Sequence, residues 1–173
     1  MSITNRDHIP VRYRPNYEFL HGNLLPSSGV KHQLVSLRMA AALLRHAQHR
    51  KLGQVFQAPC DVVFDRECVM QPDIVFVQKG RSGLIGKMSL RGAPDLIIEI
   101  LSQNTREKDL RTKRKIYSRF EVKEYWTVDP DSETVEVLLW SELGYASSGV
   151  YGKSDCLSSP ALPKLRLPLR NIF

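Results

Sequence analysis

The stretch APDLIIEILSQNTREKDLRTKRKIY, residues 93–117, joins a strand pattern to a helix pattern. Its first part, PDLIIEIL, is apolar on both faces of an extended chain, which predicts a central strand of a sheet. Its second part has helical periodicity and predicts a long helix. Glu99 interrupts the apolar strand, and Lys113 falls on the apolar side of the helix. Both positions call for a physical explanation.

Glu99 has a charge problem that follows from strand geometry. Successive side chains of a strand alternate between its two faces, so Glu99 shares a face with Asp95, Ile97 and Leu101. An ionised carboxylate at a buried position without a partner costs several kcal/mol. Glu99 therefore needs a cationic side chain, a metal ion or a proton.

The helix that follows supplies a candidate cation. At about 100° per residue its apolar side chains span an arc of about 120°. These side chains are Leu110, Ile116, Tyr117 and Phe120. Asp109 and Lys113 fall inside that arc, one helical turn apart, and we expect Asp109 to pair locally with Lys113 or Arg106. A helix that packs back on its own strand brings Lys113 towards Glu99.

A second carboxylate opens a neighbouring strand pattern. Asp73 begins DIVFV, a β-branched run that predicts a strand at 73–77. Two adjacent strands can present Asp73 and Glu99 side by side, and converging carboxylates suit a hard ion such as Mg²⁺ or Mn²⁺. Such an ion polarises a phosphoryl oxygen and activates water, and Lys113 would orient that water or neutralise charge on phosphorus. A purely structural Glu99–Lys113 ion pair remains the alternative.

The charge distribution favours an anionic partner. The chain has 173 residues, a formal net charge of +7 and a sequence pI of about 9.5. Residues 74–94 contain no acid. The cations in this stretch are Lys79, Arg81, Lys87 and Arg91. We predict that they bind nucleic acid through its phosphates, although solvated surface charge explains any one of them equally well.

Length and composition predict one domain over residues 1–173. No apolar run is long enough to span a bilayer, and the N-terminal stretch has no apolar segment like that of a signal peptide. We therefore expect a soluble, cytoplasmic protein with no membrane partner. The three cysteines lack metal-ligand spacing, which favours reduced thiols.

Along the chain, helical and strand patterns alternate. Apolar residues recur at helical spacing from about Val30 to Arg50 and predict a long helix. Its repeating positions are Val30, Leu34, Leu37, Ala41 and Leu44. Strand patterns follow, then the helix that carries Lys113, then a hairpin turning at residues 129–132. The order predicts an α/β (α+β) fold with a mixed central β-sheet flanked by helices.

Four motifs in this order resemble one known family. They are QPDIVFV, APDLIIEILSQNT, the spacing D-x-x-x-K-x-x-x-Y at Asp109, Lys113 and Tyr117, and VKEYWTVDPDSETVEVL. The chain resembles the Uma-two-type endonucleases of the PD-(D/E)xK, restriction-endonuclease-like superfamily. The likeness runs from about Tyr17 to Leu139. It implies a restriction-endonuclease-like core at 17–140, with extra N-terminal hairpin strands. An arm or short strand at 1–16 would precede it, and C-terminal strands and a tail at 141–173 would follow.

The resemblance also implies a site. Asp73 and Glu99 would ligate a metal ion, with Asp95 as an extra member. The superfamily lysine two residues after the strand glutamate is Leu101 here, and the resemblance suggests that Lys113 replaces it. Glu18 and His32 match family positions and, with Asp109 and Tyr117, would line the site. A homodimer is expected from the resemblance alone.

The sequence thus predicts an Mg²⁺-dependent (or Mn²⁺-dependent) endonuclease that hydrolyses phosphodiester bonds in DNA, with Asp73, Glu99 and Lys113 as catalytic residues. The alternative is a nuclease-fold domain that binds nucleic acid or a protein partner without catalysis.

Overall fold

The computed structural model describes residues 18–20, 23–25, 29–102 and 108–173, with the side chains of 29–102 and 110–173. Its helices are α1 (Val30–Arg50) and α2 (Arg114–Arg119), with a π-helix at Lys108–Lys113 directly before α2 and 3₁₀ turns at Lys79–Leu84 and Leu169–Asn171. The strands are β1 (Glu18–Leu20), β2 (Asn23–Leu25), β3 (Gly53–Gln57), β4 (Val62–Val63), β5 (Val69–Met70), β6 (Ile74–Gln78), β7 (Leu90–Arg91), β8 (Leu96–Ile100), β9 (Glu124–Asp129), β10 (Thr134–Ser141), β11 (Gly144–Gly152), β12 (Cys156–Leu157) and β13 (Leu167–Pro168).

A six-stranded mixed sheet organises the fold, in the order β11-β10-β9-β8-β6-β3. β8 is antiparallel to β6 and parallel to β9, while the remaining neighbours are antiparallel. The parallel β8–β9 step requires a crossover connection, and the helical segment that ends with α2 lies between the two strands in sequence. All five residues of β8 are buried, as expected for an apolar run in the middle of a sheet. The predicted α+β class with a mixed central sheet is confirmed.

Each face of the sheet has its own core. α1 covers one face, where Met39 and Leu43 pack with Phe76, Ile98 and Trp126. α2 covers part of the other face, in a cluster that includes Ile97, Tyr117 and Tyr125. A small three-stranded sheet, β5-β4-β7, packs beside it through Val62 and Leu90 against Val75 and Val77. Glu99 lies on this second face, because it alternates with Ile98 and Ile100 along β8.

The predicted helix at Val30–Arg50 is confirmed, with Lys51 in the left-handed conformation as its C-cap. The side that packs on the sheet carries His32, Val35, Ser36, Met39, Ala40, Leu43 and Ala47. The apolar repeat that marks the helix in the sequence lies elsewhere, because Val30, Leu34, Leu37 and Leu44 are exposed. α1 therefore has two apolar sides, and a periodicity count alone does not say which one meets the core.

The other predicted elements agree in type with the structure. The strand predicted at 73–77 is β6, and the hairpin is β9–β10, whose turn is fixed where Asp129 Oδ1 accepts a hydrogen bond from Asp131 N at 3.0 Å. The predicted long helix differs, because its first described turns form a π-helix. Residues 103–107 lie outside the described part. The division at residues 16 and 140 stays a prediction.

Among the described residues, no helix combines the length and the hydropathy that a membrane crossing needs.

Candidate metal and phosphodiester site

Strand register places Asp73 beside Glu99. Ile74 of β6 pairs with Ile98 of β8 in an antiparallel ladder, so the next position outward sets Asp73 opposite Glu99. Directly opposed side chains in such a ladder have Cβ atoms about 4.5–5.5 Å apart and lie on the same face. The predicted adjacency of the two carboxylates therefore follows from the observed register.

Glu99 is held from two sides by the helical segment. Its side chain is 2% exposed, and Oε2 accepts a hydrogen bond from Lys113 Nζ at 2.9 Å. Oε1 accepts a hydrogen bond from the Tyr117 hydroxyl at 2.5 Å. The predicted contact between the misplaced lysine and the strand carboxylate is confirmed. The ammonium is the counter-charge that a buried carboxylate requires.

The helix geometry explains why both donors reach Glu99. Lys113 ends the π-helix and Tyr117 lies four residues later in α2, so they share one helix face. The Tyr117 ring is fully buried and packs edge-on against Tyr125, with ring centroids 5.2 Å apart. This packing fixes the phenol, which in turn orients Glu99. Single π-type turns inside helices are frequent at functional sites.

Asp73 is oriented by backbone and by α1. Its Oδ2 accepts hydrogen bonds from Ile100 N at 2.8 Å and from His32 Nε2 at 3.1 Å. Its side chain is 20% exposed, and Oδ1 is the oxygen left for a ligand. The structure thus brings His32, predicted to line the site, into direct contact with Asp73. His32 is itself buried, and its Nδ1 has no partner among the described residues.

Asp95 lies at the opposite end of the β6–β8 pair. Its Oδ2 accepts a hydrogen bond from Gln78 N at 2.8 Å, and its Oδ1 pairs with Arg81 Nη1 at 2.9 Å. Because β6 and β8 are antiparallel, the end of β8 near Asp95 meets the end of β6 farthest from Asp73. The predicted role of Asp95 as an extra metal ligand needs it beside Asp73, so we leave it out of the site.

Two further predicted site residues lie outside what the structure describes. Glu18 belongs to β1, whose backbone alone is described, and Asp109 belongs to the π-helix without a described side chain. Their roles stay predictions.

The predicted nucleic-acid contacts are exposed but lie away from the two carboxylates. Lys79, Arg81, Lys87 and Arg91 are all exposed. Their loop begins after Gln78, at the end of β6 farthest from Asp73. That end is about 20 Å from Asp73 along the strand. Arg81 is also tied to Asp95 and to the carbonyl of Ala93.

A second basic surface accompanies the lysine helix. A shallow groove runs between α2 and the β10–β11 hairpin. Its cationic lining residues are Arg111, Arg114, Lys115 and Arg119, and its aromatic ones are Trp140 and Tyr145. Arg114 Nη2 donates a hydrogen bond to the Tyr145 carbonyl at 3.3 Å, which joins the helix to the hairpin.

One buried carboxylate was missed. Glu124, at the start of β9, is 1% exposed and accepts hydrogen bonds from Trp126 Nε1 at 2.7 Å and Ala161 N at 2.9 Å. Register pairs it with Leu96, so it lies on the α1 face and not with Glu99. The apolar residues of EYWTV indicate a buried strand. The sequence does not indicate the hydrogen bond to Glu124, because its donor, Ala161 N, is 37 residues away.

The donor set suits a hard divalent cation. Asp73 offers a carboxylate oxygen and Glu99 a second carboxylate, and each is braced by other hydrogen-bond donors, as ligating carboxylates usually are. The described residues contain no group of three His, Cys, Asp or Glu side chains at metal-binding spacing. A cation here would therefore rely on the two carboxylates together with backbone oxygen, water or substrate.

The fold defines the class of protein. It matches the crystal structure of a protein from Anabaena variabilis, described as a "putative nuclease belonging to DUF820", with a TM-score of 0.74 and 19% sequence identity. The match covers 92% of this chain and 90% of that chain. The two chains therefore share one fold.

The family follows from the sequence itself. The Uma2 family profile, described as "Putative restriction endonuclease", matches residues 7–170. The chain belongs to this family, as the resemblance predicted. A search of curated proteins finds no match. Family and fold together support a nuclease function.

Proposed function

We propose that this protein is an Mg²⁺-dependent endonuclease that hydrolyses phosphodiester bonds in DNA. The observation that carries the proposal is the paired site on β6 and β8. Asp73 and Glu99 are opposed across two strands, and Lys113 contacts Glu99 at 2.9 Å in a buried environment. Mn²⁺ would serve in place of Mg²⁺, since both are oxygen-binding cations.

Asp73 and Glu99 would hold the metal ion, which when bound polarises a phosphoryl oxygen and lowers the pKa of a coordinated water. Asp73 would offer Oδ1 to the ion, because Oδ2 accepts hydrogen bonds from Ile100 N and His32. Glu99 would offer carboxylate oxygen to the ion in addition to the hydrogen bonds that it accepts from Lys113 and Tyr117, since a carboxylate accepts about four hydrogen bonds or metal contacts.

Lys113 and Tyr117 would act through Glu99, because both side chains donate hydrogen bonds to its carboxylate. The ammonium supplies a counter-charge where water cannot, and the phenol fixes the carboxylate plane. Lys113 also brings positive charge to the place where a phosphate would gain negative charge in the transition state. Because the amine is buried, it is pre-organised and loses little entropy when substrate binds.

His32 positions Asp73 from α1. Its Nε2 lies 3.1 Å from Asp73 Oδ2, and its buried Nδ1 has no hydrogen-bond partner in the described structure. This contact limits the rotation of the Asp73 carboxylate, as groups around metal ligands usually do.

Contacts to the DNA backbone would come from the exposed cations. The groove along α2 adjoins the Lys113 turn, so Arg111, which is exposed, and Arg114, which is half-buried, are better placed for phosphates next to the cut than the 79–91 loop. Lys79, Lys87 and Arg91 would bind phosphates farther along the duplex. Their contribution should weaken steeply with salt, as counterion release requires.

The test is cleavage of supercoiled plasmid by the purified full-length protein with Mg²⁺, Mn²⁺ or EDTA. Loss of a metal ligand removes several kcal/mol of transition-state stabilisation, so D73N should be slower by about 100-fold or more. D131N, the same change at an exposed aspartate, is the matched control and should cleave normally. His32→Ala should lose about 10- to 100-fold, the usual effect of removing a group that orients a ligand.

Glu99 requires a paired design. Glu99→Gln removes the negative charge that the buried Lys113 ammonium contacts, so circular dichroism must first show that the variant folds. E99Q/K113M removes both charges and provides a folded, inactive comparison. Cleavage that persists in D73N and in the double variant would refute the proposal.

The non-catalytic alternative has one observation in its favour. Both oxygens of Glu99 already accept short hydrogen bonds, so the carboxylate is satisfied without a metal ion. On this reading the protein binds nucleic acid in a salt-dependent manner. Calorimetric titration with Mn²⁺ would then give the same heat for the wild type and for D73N. Metal binding that D73N removes would exclude it.

A further inference from the structure

α1 carries a second apolar side that faces away from the sheet. Val30 is 88% exposed, Leu34 44%, Leu37 58% and Leu44 37%, and Ala41 between them is also exposed. These five residues form what we call the outer seam of α1. The core side of the same helix is already filled by Met39, Leu43 and their neighbours, so the seam adds nothing to the packing of the sheet.

The seam has the spacing of a helix–helix contact. Its members follow one another at intervals of four, three, four and three residues, which is the heptad pattern of a coiled coil. On a helical wheel they fall within about 80°, and from first to last they extend for about 21 Å. A stripe this narrow and long fits one partner helix better than it fits a bilayer, which would take a broader apolar face.

The charges beside the seam indicate which charged side chains a partner helix would carry. Lys31, Arg38 and Arg45 recur every seven residues along one flank, and the 21 residues of α1 contain no acid. Lys31 pairs with Asp131 at 3.3 Å, but both side chains are more than half exposed, so the pair is weak. Arg38 donates hydrogen bonds to main-chain oxygens of Ile172 and Phe173 and remains exposed.

A second copy of this chain would present no acidic side chain from α1 to the basic flank, because α1 contains no Asp or Glu. Two antiparallel copies would bring the basic flank of one helix against the same flank of the other, and like charges in such positions oppose pairing. An acidic helix would instead find a cation at each turn of the flank.

We propose that the outer seam of α1 docks an amphipathic helix of a partner protein, with apolar residues at heptad spacing and Asp or Glu beside them. The inference stands apart from the nuclease proposal, because the seam and the Asp73–Glu99 site involve different sides of α1. It names a protein-binding surface on a chain whose other features point to nucleic acid.

Two synthetic peptides test the proposal with the full-length protein. Both carry Leu at the heptad a and d positions over three heptads; one has Glu at e and g and the other Lys. Fluorescence anisotropy of labelled peptide should show the Glu peptide binding at least about tenfold more tightly. Raising the salt from about 50 mM to 500 mM should narrow that difference, since the charges involved are exposed.

Three variants locate the binding. Leu37→Asp should abolish binding of the Glu peptide, and Arg45→Glu should weaken it by about fivefold or more. Leu143→Asp, the same change at the fully exposed β10–β11 turn, is the matched control and should bind normally. Thermal unfolding should be similar for all three, because each residue projects into solvent.

Four outcomes would overturn the proposal. The Lys peptide could bind as tightly as the Glu peptide, or Leu37→Asp could leave binding intact. Light scattering could show a dimer that Leu37→Asp dissociates, which would make a second copy the occupant. The wild-type protein, but not Leu37→Asp, could bind vesicles of anionic lipid and ignore both peptides, which would make the seam a membrane contact.

Discussion

Two buried glutamates lie on neighbouring strands and have different hydrogen-bond partners. Glu99 of β8 meets the Lys113 ammonium and the Tyr117 phenol. Glu124 of β9, on the opposite face, meets the Trp126 indole and the Ala161 amide, both neutral donors. Burial raises the pKa of Glu124 above its ordinary value, and the hydrogen bonds from Ala161, Trp126 and Ser159 only partly oppose this effect.

The difference distinguishes the proposed metal site from a structural anchor. Neutral donors are enough to tie the C-terminal segment near Ala161 to the sheet, and they need no second charge. A cation buried with Glu99 is harder to accommodate, because taking two charges out of water costs several kcal/mol per ion before their attraction repays it. Such an arrangement is expected where charge is used, and Glu99 stands opposite Asp73 whereas Glu124 has no carboxylate opposite it in the ladder with β8.

The largest expected effect is on the charged pair. Lys113→Met should lower the free energy of unfolding by about 3–5 kcal/mol, because it removes the ammonium that contacts the buried Glu99 carboxylate. Adding Glu99→Gln should restore most of that loss, since Gln still accepts the Tyr117 hydrogen bond and no charge remains. Urea denaturation of the single and double variants measures both values. A single variant as stable as wild type would mean that Glu99 is not a buried anion.

The phenol gives a smaller effect at the same carboxylate. Tyr117→Phe removes one hydrogen bond to a charged group and should lower the free energy of unfolding by about 2 kcal/mol. In the E99Q/K113M background the same change should matter less, about 1 kcal/mol, because the acceptor is then neutral. Equal losses in both backgrounds would show that Tyr117 contributes through ring packing alone.

A third acid extends the comparison to the far end of β8. Asp95 pairs with Arg81, whose side chain is 41% exposed, and it keeps a hydrogen bond from Gln78 N. Arg81→Ala should therefore lower the free energy of unfolding by only about 1 kcal/mol, because solvent replaces the guanidinium. The stability loss should shrink in high salt. A loss as large as that of Lys113→Met would mean that exposure does not distinguish the two pairs.

Sequence reasoning succeeded where one element or a short crossover decides the contact. Strand alternation and a helical wheel place Glu99 and Lys113 together across 14 residues. It failed for Asp95, because Asp73 and Asp95 follow prolines in similar local patterns and only the antiparallel register puts them at opposite ends. It also could not show that His32 bonds Asp73, 41 residues away, or that α1 has two apolar sides.

Glu124 provides the last test, which concerns the direction in which the free energy of unfolding changes with pH. A carboxyl whose folded-state pKa is raised binds its proton more tightly when folded. Its contribution to stability is then complete below the unfolded value, near 4.5, and is lost as the pH rises through the folded pKa. Glu124→Gln is a neutral mimic of the protonated acid and should match wild type to within about 1 kcal/mol in acid.

As the pH rises above 4.5 the wild type should lose stability relative to E124Q, which urea denaturation at closely spaced pH values can follow. Glu133→Gln, at an exposed carboxylate paired with Lys153, is the matched control and should show no such relative gain. A wild type that gains on E124Q with rising pH would give Glu124 the behaviour of a paired anion. The electrostatic difference between Glu99 and Glu124 would then disappear. It would no longer support placing the proposed site at Glu99 and not at Glu124.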